Sequence, residues 1–198
     1  MNSEIHKPTR FALALGIQLV IILAIILFKY SVSSGGTEIL LKIAPIDPRD
    51  PIRGDYITFR YDISNVNVYS EASSFRNGER LYVPLVERGK FFVQYGEPIR
   101  SIPKETRYSV IYLKGTVISG GAGEAPTIPN IPNVNQRTGA IRVQPALNVK
   151  YGIEEYFIPE GAGINMSFWN KEAAALVAVD ERGNAVLKRI YVDDRPWP

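Results

Sequence analysis

Residues 56–63 read YITFRYDI, and this stretch decides the fold class because polar and apolar side chains alternate along all eight positions. Alternation with a period of two is typical of a β-strand with one buried face. The face that we expect in the core consists of Ile57, Phe59, Tyr61 and Ile63. The polar face consists of Tyr56, Thr58, Arg60 and Asp62.

Similar strand-like runs occur along most of the chain after residue 36. They lie in residues 37–45, 81–95, 107–118, 140–158 and 175–192. Gly89 and the segment 180–184 favour hairpin turns within two of these runs, and we expect the run 107–118 to break near Gly115. The best helical candidate is the short segment 165–174. We therefore predict a mainly β, antiparallel domain with at most one short helix.

A hydrophobic run precedes this domain. Residues 11–28, FALALGIQLVIILAIILF, carry no charge and one polar side chain, Gln18. As a helix the run measures roughly 27 Å, close to the thickness of a bilayer's hydrocarbon. A cleaved signal peptide is the alternative, since Ser31 and Ser33 have the spacing of a cleavage site, but the run is longer than the usual ~7 to 15 residues.

Basic residues set the expected orientation of this helix. Lys7 and Arg10 precede the run and only Lys29 closely follows it, so the N-terminus should stay in the cytoplasm. We predict a cytoplasmic N-terminus (1–10), a transmembrane helix (11–28), a flexible tether (29–36) and an extracytoplasmic β domain (37–198), either periplasmic or on the cell surface.

Charge and residue types exclude several functions for the outer domain. Four charged residues lie in positions 1–36, and without them the 23 basic and 20 acidic residues become 20 and 19, a net charge of +1. This balance does not suggest a nucleic-acid partner. The chain has no cysteine, and its one histidine is His6. Disulfides, His-dependent catalytic triads and His-ligated zinc are therefore excluded from the domain, and we predict no cofactor.

The segment that leads into the run 56–63, IAPIDPRDPIRGDY (residues 43–56), combines prolines with acidic residues. Pro48 and Pro51 restrict Asp47 and Asp50 to extended backbone, and Gly54 permits a sharp turn. Asp55 can then accept hydrogen bonds from backbone amides. A stiff turn explains these residues best. A divalent-cation site formed by the three aspartates, or recognition of the Arg53–Asp55 tripeptide by an integrin, are less favoured interpretations.

The same segment resembles the GDYXXLXY family of bacterial membrane-anchored proteins. Gly54, Asp55, Tyr56 and Tyr61 match the signature, and Phe59 stands where the family has leucine. Residues 151–161, YGIEEYFIPEG, are similar to a second block of that family. The resemblance implies an anchored protein of unknown biochemical activity, often encoded beside multi-pass membrane proteins.

An enzyme is the alternative class. The turn and strand also resemble the region around the nucleophile in signal-peptidase-like and LexA-like peptidases, with Lys114 in the position of the general base. Asp47 stands near the place of the nucleophilic serine, and a carboxylate does not replace that serine. A Ser-Lys hydrolase would use a pair from elsewhere in the chain, such as Ser31, Ser33 or Ser34 with Lys90 or Lys114. A paired-carboxylate hydrolase would use Glu154 or Glu155 with Glu160, although neighbouring strand residues point to opposite faces.

The favoured prediction is a non-catalytic interaction or assembly module for a multi-pass membrane partner. Its contact surface would consist of the two motif blocks, for which we name Asp47, Arg49, Asp50, Arg53, Gly54, Asp55, Tyr56, Tyr61, Lys114, Tyr151, Gly152, Glu154, Glu155, Pro159, Glu160 and Gly161.

Overall fold

The computed structural model describes residues 7–44, 56–68, 75–104, 109–120, 146–157 and 171–197. The described chain begins with one α-helix, α1 (Lys7–Gly35). The strands that follow are β1 (Thr37–Ala44), β2 (Tyr56–Thr58), β3 (Arg60–Tyr61), β4 (Asn65–Asn67), β5 (Arg80–Arg88), β6 (Phe91–Gln94), β7 (Ile111–Ser119), β8 (Ala146–Lys150), β9 (Glu155–Phe157), β10 (Ala173–Val179), β11 (Ala185–Val192) and β12 (Arg195–Trp197). A short 3-10 helix, Asp62–Ser64, separates β3 from β4.

The strands form two five-stranded sheets and one small ribbon. The first sheet has the order β12-β11-β10-β1-β3 and the second the order β4-β8-β7-β5-β6, while β2 pairs with β9. Every pairing between these strands is antiparallel. The predicted fold class, an N-terminal apolar helix followed by an antiparallel β domain, is confirmed.

One hydrophobic core joins the two sheets. Leu41 of β1 and Val177 of β10 lie in the same buried cluster as Val83 of β5, Leu113 of β7 and Val149 of β8. Each of these side chains is at most 2% exposed. Burial of this apolar surface is the main stabilising contribution in a domain without disulfides.

Both predicted hairpins are present. Gly89, with φ of 66°, turns the chain between β5 and β6, and Gly183, with φ of 78°, does so between β10 and β11. Positive φ is accessible to glycine at little steric cost, which is why the sequence located these turns.

The prediction of a break near Gly115 is wrong, because β7 runs unbroken from Ile111 to Ser119. A Cβ atom at Gly115 would lie 2.3 Å from Val149 Cγ1 and 3.1 Å from the ring of Tyr151. The glycine therefore makes room for one side chain of the neighbouring strand β8 and for the tyrosine that follows this strand.

The stretch YITFRYDI is not a single strand. It divides into β2, which pairs with β9, β3, which pairs with β1, and the 3-10 helix. The predicted core face is nevertheless correct. Phe59, Tyr61 and Ile63 are buried, and Ile57 is half-buried.

The flexible tether predicted for residues 29–36 is absent, since α1 continues to Gly35 and β1 starts at Thr37. Val32 is 3% exposed, and α1 contacts β10 and β11. A Cβ atom at Gly36 would lie 2.6 Å from the Val32 carbonyl oxygen and 3.0 Å from the backbone of Val179. The last turn of the helix is thus packed directly onto the first sheet.

A side-chain amide links the two edge strands of the second sheet. Gln94, on β6, accepts a hydrogen bond from the Asn67 amide at 2.9 Å and donates one to the Asn67 carbonyl at 2.8 Å. Asn67 lies on β4, the opposite edge. At Asn67, these two bonds reproduce the pairing that the backbone of a neighbouring strand would supply.

Candidate functional site

The two motif blocks meet in the fold. Strand β2 pairs with β9, with Tyr56 opposite Phe157, Ile57 opposite Tyr156 and Thr58 opposite Glu155. This short ladder connects residues about a hundred positions apart in the chain. The described parts of both blocks therefore belong to one structural unit.

Two buried tyrosines cross-link the blocks reciprocally. The Tyr61 hydroxyl donates to the Ile153 carbonyl at 2.6 Å, and the Tyr151 hydroxyl donates to the Ile63 carbonyl at 2.5 Å. The two rings meet edge to face with centroids 6.5 Å apart. A tyrosine hydroxyl from each side thus donates a hydrogen bond to a backbone carbonyl group on the other side. We call Tyr61, Ile63, Tyr151, Ile153 and Glu154 the motif joint.

Glu154 holds the turn of the second block. Its carboxylate accepts hydrogen bonds from the amides of Tyr151 at 2.5 Å and Gly152 at 2.8 Å. Gly152 has φ of 78°, which suits a glycine in this turn. Glu154 is 7% exposed, so its carboxylate is a buried backbone cap in this structure. Charge-assisted bonds of this kind are stronger than neutral ones.

The electrostatics of the motif joint favour neutral tyrosines. Burial, and secondarily the charge of Glu154, raises the pKa of Tyr61 well above its ordinary value. The same two causes, in the same order, raise the pKa of Tyr151. Both hydroxyls are therefore protonated donors at physiological pH, as their hydrogen bonds to carbonyl groups require.

A serine completes the first block. The Ser64 hydroxyl accepts a hydrogen bond from the Tyr61 amide at 3.1 Å and closes the 3-10 turn. Phe59 packs edge to face on Tyr61, with centroids 5.5 Å apart. Sequence reasoning missed Ser64, Ile63 and Ile153 as partners. Only Ser64 could have been found from the sequence, because a serine three residues after Tyr61 is placed to accept a hydrogen bond from the Tyr61 amide in a turn.

Several predicted site residues lie outside the described residues. They are Asp47, Arg49, Asp50, Arg53, Gly54, Asp55, Pro159, Glu160 and Gly161. The aspartate cation site and the pairing of Glu160 with another carboxylate rest on these positions. Within the described ranges, no group of three His, Cys, Asp or Glu side chains is placed to hold a metal ion.

The neighbouring carboxylate, that of Glu155, faces away from the joint. Glu155 is exposed and lies 3.9 Å from the ammonium group of Lys150. Glu154 and Glu155 thus lie on opposite faces, as their adjacent positions predict.

Lys114 is not part of the motif joint. Its backbone amide bonds to the Gly183 carbonyl, and its ammonium group lies 3.4 Å from Asn184 Oδ1 in the β10–β11 turn. Neighbouring Gly115 faces Tyr151, so the Lys114 side chain points to the other face of β7. The structure brings Lys114 to a side-chain amide and away from the motif blocks.

An open depression of about 600 Å³ lies elsewhere on the domain, lined by Arg76, Asn77, Glu79 and Arg100. Arg100 Nε donates to Glu79 Oε1 at 2.7 Å, and its guanidinium lies over the ring of Phe75. The Arg76 backbone amide, followed by Arg100, lowers the pKa of Glu79. No sequence pattern indicated this cluster, in which Arg100 and Glu79 already form an ion pair.

The comparisons with known proteins place the chain in one family. The sequence model of the GDYXXLXY protein family matches residues 18–190, which includes both motif blocks and most of α1. No curated protein and no solved structure matches the chain, so the suspected similarity to signal-peptidase-like and LexA-like folds is not confirmed. The chain belongs to the GDYXXLXY family.

Proposed function

We propose that this protein is a single-pass, membrane-anchored interaction module that contacts a multi-pass membrane partner through its two motif blocks. The N-terminus lies in the cytoplasm and the β domain outside it. The role is non-catalytic: the domain holds the motif segments in a fixed position relative to the membrane. The observation that carries this proposal is the motif joint, in which the hydroxyl groups of Tyr61 and Tyr151 fasten the two blocks together.

The helix supports the anchoring half of the proposal. Residues Thr9–Gly35 are long and apolar enough to cross a membrane. Cleavage near Ser33 would remove Val32, which is buried against the domain. Retaining the helix keeps this contact, so an uncleaved anchor fits the packing better than a signal peptide does.

The position of the motif joint supports the interaction half. Strand β1 leaves the helix at Thr37, and its far end pairs with β3 through Ile43 and Tyr61. Thr37 and Ile43 are six positions apart on β1, about 20 Å along the strand at the usual rise. Because α1 and β1 join without a tether, the joint is held at a fixed distance from the anchor.

Affinity capture from native membranes tests the proposal. Full-length wild type is compared with Asp55→Ala and Glu160→Ala, each first shown to unfold at the wild-type temperature. Glu181→Ala, an exposed residue on the β10–β11 turn, is the matched control. We expect one multi-pass protein to be recovered with wild type and control and lost with both motif variants. Equal recovery with all four proteins would reject the motif as an interface.

A further inference from the structure

The polar residue of the anchor lies at the depth where hydrogen-bonding groups are most costly. Gln18 is one to two residues from the midpoint of the apolar run 11–28. The nearer end of that run is roughly 10 Å away along the helix, which is farther than a glutamine side chain reaches. The amide therefore stays within the hydrocarbon, where no water is present to solvate it.

The chemistry of the amide defines what it needs. A glutamine side chain has two N–H donors and one acceptor oxygen. A carbonyl group of its own helix can accept from the donors, but the backbone N–H groups at that depth are already used in the helix ladder. The oxygen therefore requires a donor from outside α1. In a membrane such donors are polar side chains of neighbouring helices.

The direction of Gln18 follows from the helix geometry. Eighteen residues make five full turns, so Gln18 lies directly below Gly36 on the same side of the helix. That side faces the domain: Val32 is buried and Ser33 and Gly36 are half-buried, while Tyr30, Ser31, Ser34 and Gly35 are exposed. Gln18 itself is exposed, as is each side chain described from Thr9 to Ser31. Whatever contacts Gln18 within the bilayer thus lies on the side of α1 toward which the domain extends.

A second copy of this chain does not fit that position. Two parallel helices that contact through their Gln18 sides have axes about 8 to 10 Å apart. Each would carry, on that same side, a domain of about 160 residues with a radius of gyration of about 15 Å. The two domains would occupy the same space, because the packed junction at Gly36 leaves no tether to move them apart.

We infer that Gln18 is a contact residue for a membrane-spanning helix of a different protein, and that this helix lies beneath the domain and donates a hydrogen bond near the bilayer midplane. The inference rests on the proposed anchoring and names the part of the partner that the anchor recognises. It gives the partner a second contact, independent of the motif joint.

Photo-crosslinking of the full-length protein in native membranes tests this inference. A photoreactive amino acid replaces Ile25, which lies within about 20° of Gln18, or Leu27, which lies about 180° away at nearly the same depth. Both positions are exposed to a similar degree. We expect a crosslink from position 25 to a different membrane-spanning protein and none from position 27. Gln18→Leu should lower the yield about three- to twentyfold, the effect of one interhelical hydrogen bond, and Gln18→Asn should restore most of it.

Each other outcome overturns the inference. A crosslinked product of two copies of this chain would identify a homodimer. Equal yields from both positions, no crosslink, or a yield unchanged by Gln18→Leu would show that Gln18 recognises nothing. The proposed function has a separate test, since capture that depends on Asp55 but not on Gln18 would leave it standing while removing this inference.

Discussion

Removing one hydroxyl from the motif joint should weaken the whole domain by a measurable amount. Tyr61→Phe deletes the 2.6 Å hydrogen bond to the Ile153 carbonyl and keeps the aromatic ring. Tyr61 is only 1% exposed, so the hydroxyl is removed from a buried site. The loss of a buried hydrogen bond and the unpaired acceptor that remains cost about 1 to 2 kcal/mol. For a protein of this size that cost corresponds to a decrease of about 2 to 8 °C in Tm.

The reciprocal variant gives the same test from the other block. Tyr151→Phe deletes the 2.5 Å bond to the Ile63 carbonyl, with the same expected cost of about 1 to 2 kcal/mol. The double variant should lose less than the two single losses combined, by about 0.5 kcal/mol or more, because the side chains share one cluster. That coupling distinguishes a joint from two separate bonds.

Urea unfolding of the full-length protein in detergent provides the assay. Trp197 packs near Tyr156 of β9, with ring centroids 6.5 Å apart, so tryptophan fluorescence reports on this region. Tyr95→Phe is the control, since Tyr95 is 54% exposed, and it should change the free energy of unfolding by less than about 0.5 kcal/mol. Losses in both joint variants no larger than this control, or strictly additive losses, would refute the cross-linked joint.

Three further predictions concern stability. Gly115→Ala should lower the free energy of unfolding by about 1 to 3 kcal/mol in the same urea assay, because the added methyl group collides with Val149. Gly35→Ala, with open space around it, is the control. An unchanged free energy of unfolding for Gly115→Ala would contradict the close packing. Gln94→Ala should cost about 1 to 2 kcal/mol by unlinking the edge strands, whereas exposed Glu87→Ala should not. Folding raises the pKa of both joint tyrosines, so their contribution to the free energy of unfolding is fully present below about pH 10. That contribution falls as the pH rises toward the folded-state pKa, by up to about 1.4 kcal/mol per pH unit for each tyrosine. Unfolding measured from pH 8 to 11 should show this loss in wild type and a smaller one in the double Phe variant; identical pH profiles would contradict it.

Local features of the fold were predictable from the sequence. Hairpins form where a glycine takes positive φ, as at Gly89, and the core face of 57–63 follows from alternation alone. These signals act over a few residues, so a single sequence is enough to detect them. The family identified from the motif residues is confirmed, since its sequence model matches residues 18–190.

Long-range features were not predictable in the same way. The Tyr61 and Tyr151 hydroxyls bond to carbonyls 92 and 88 positions away, and no spacing rule connects such residues. From the sequence Gly115 predicts a strand break, because the side chains that require a glycine there belong to Val149 on β8 and to Tyr151 just after it. The run 29–36 suggested a flexible tether by composition, and tertiary packing of Val32 keeps its first seven residues helical.

Engineered disulfide formation in native membranes tests the central claim, that the two motif blocks lie side by side, most directly. Thr58 and Glu155 are exposed, directly paired residues of β2 and β9, and the chain contains no cysteine of its own. Paired Cα atoms of antiparallel strands are about 4.5 to 5.5 Å apart, within the range that a disulfide spans. Rapid oxidation of the double variant Thr58→Cys, Glu155→Cys should give an intramolecular crosslink, while Thr58→Cys with Glu181→Cys should not. If the two thiols at positions 58 and 155 stay reduced, or link only separate molecules, the side-by-side placement of the blocks is contradicted and the motif joint with it.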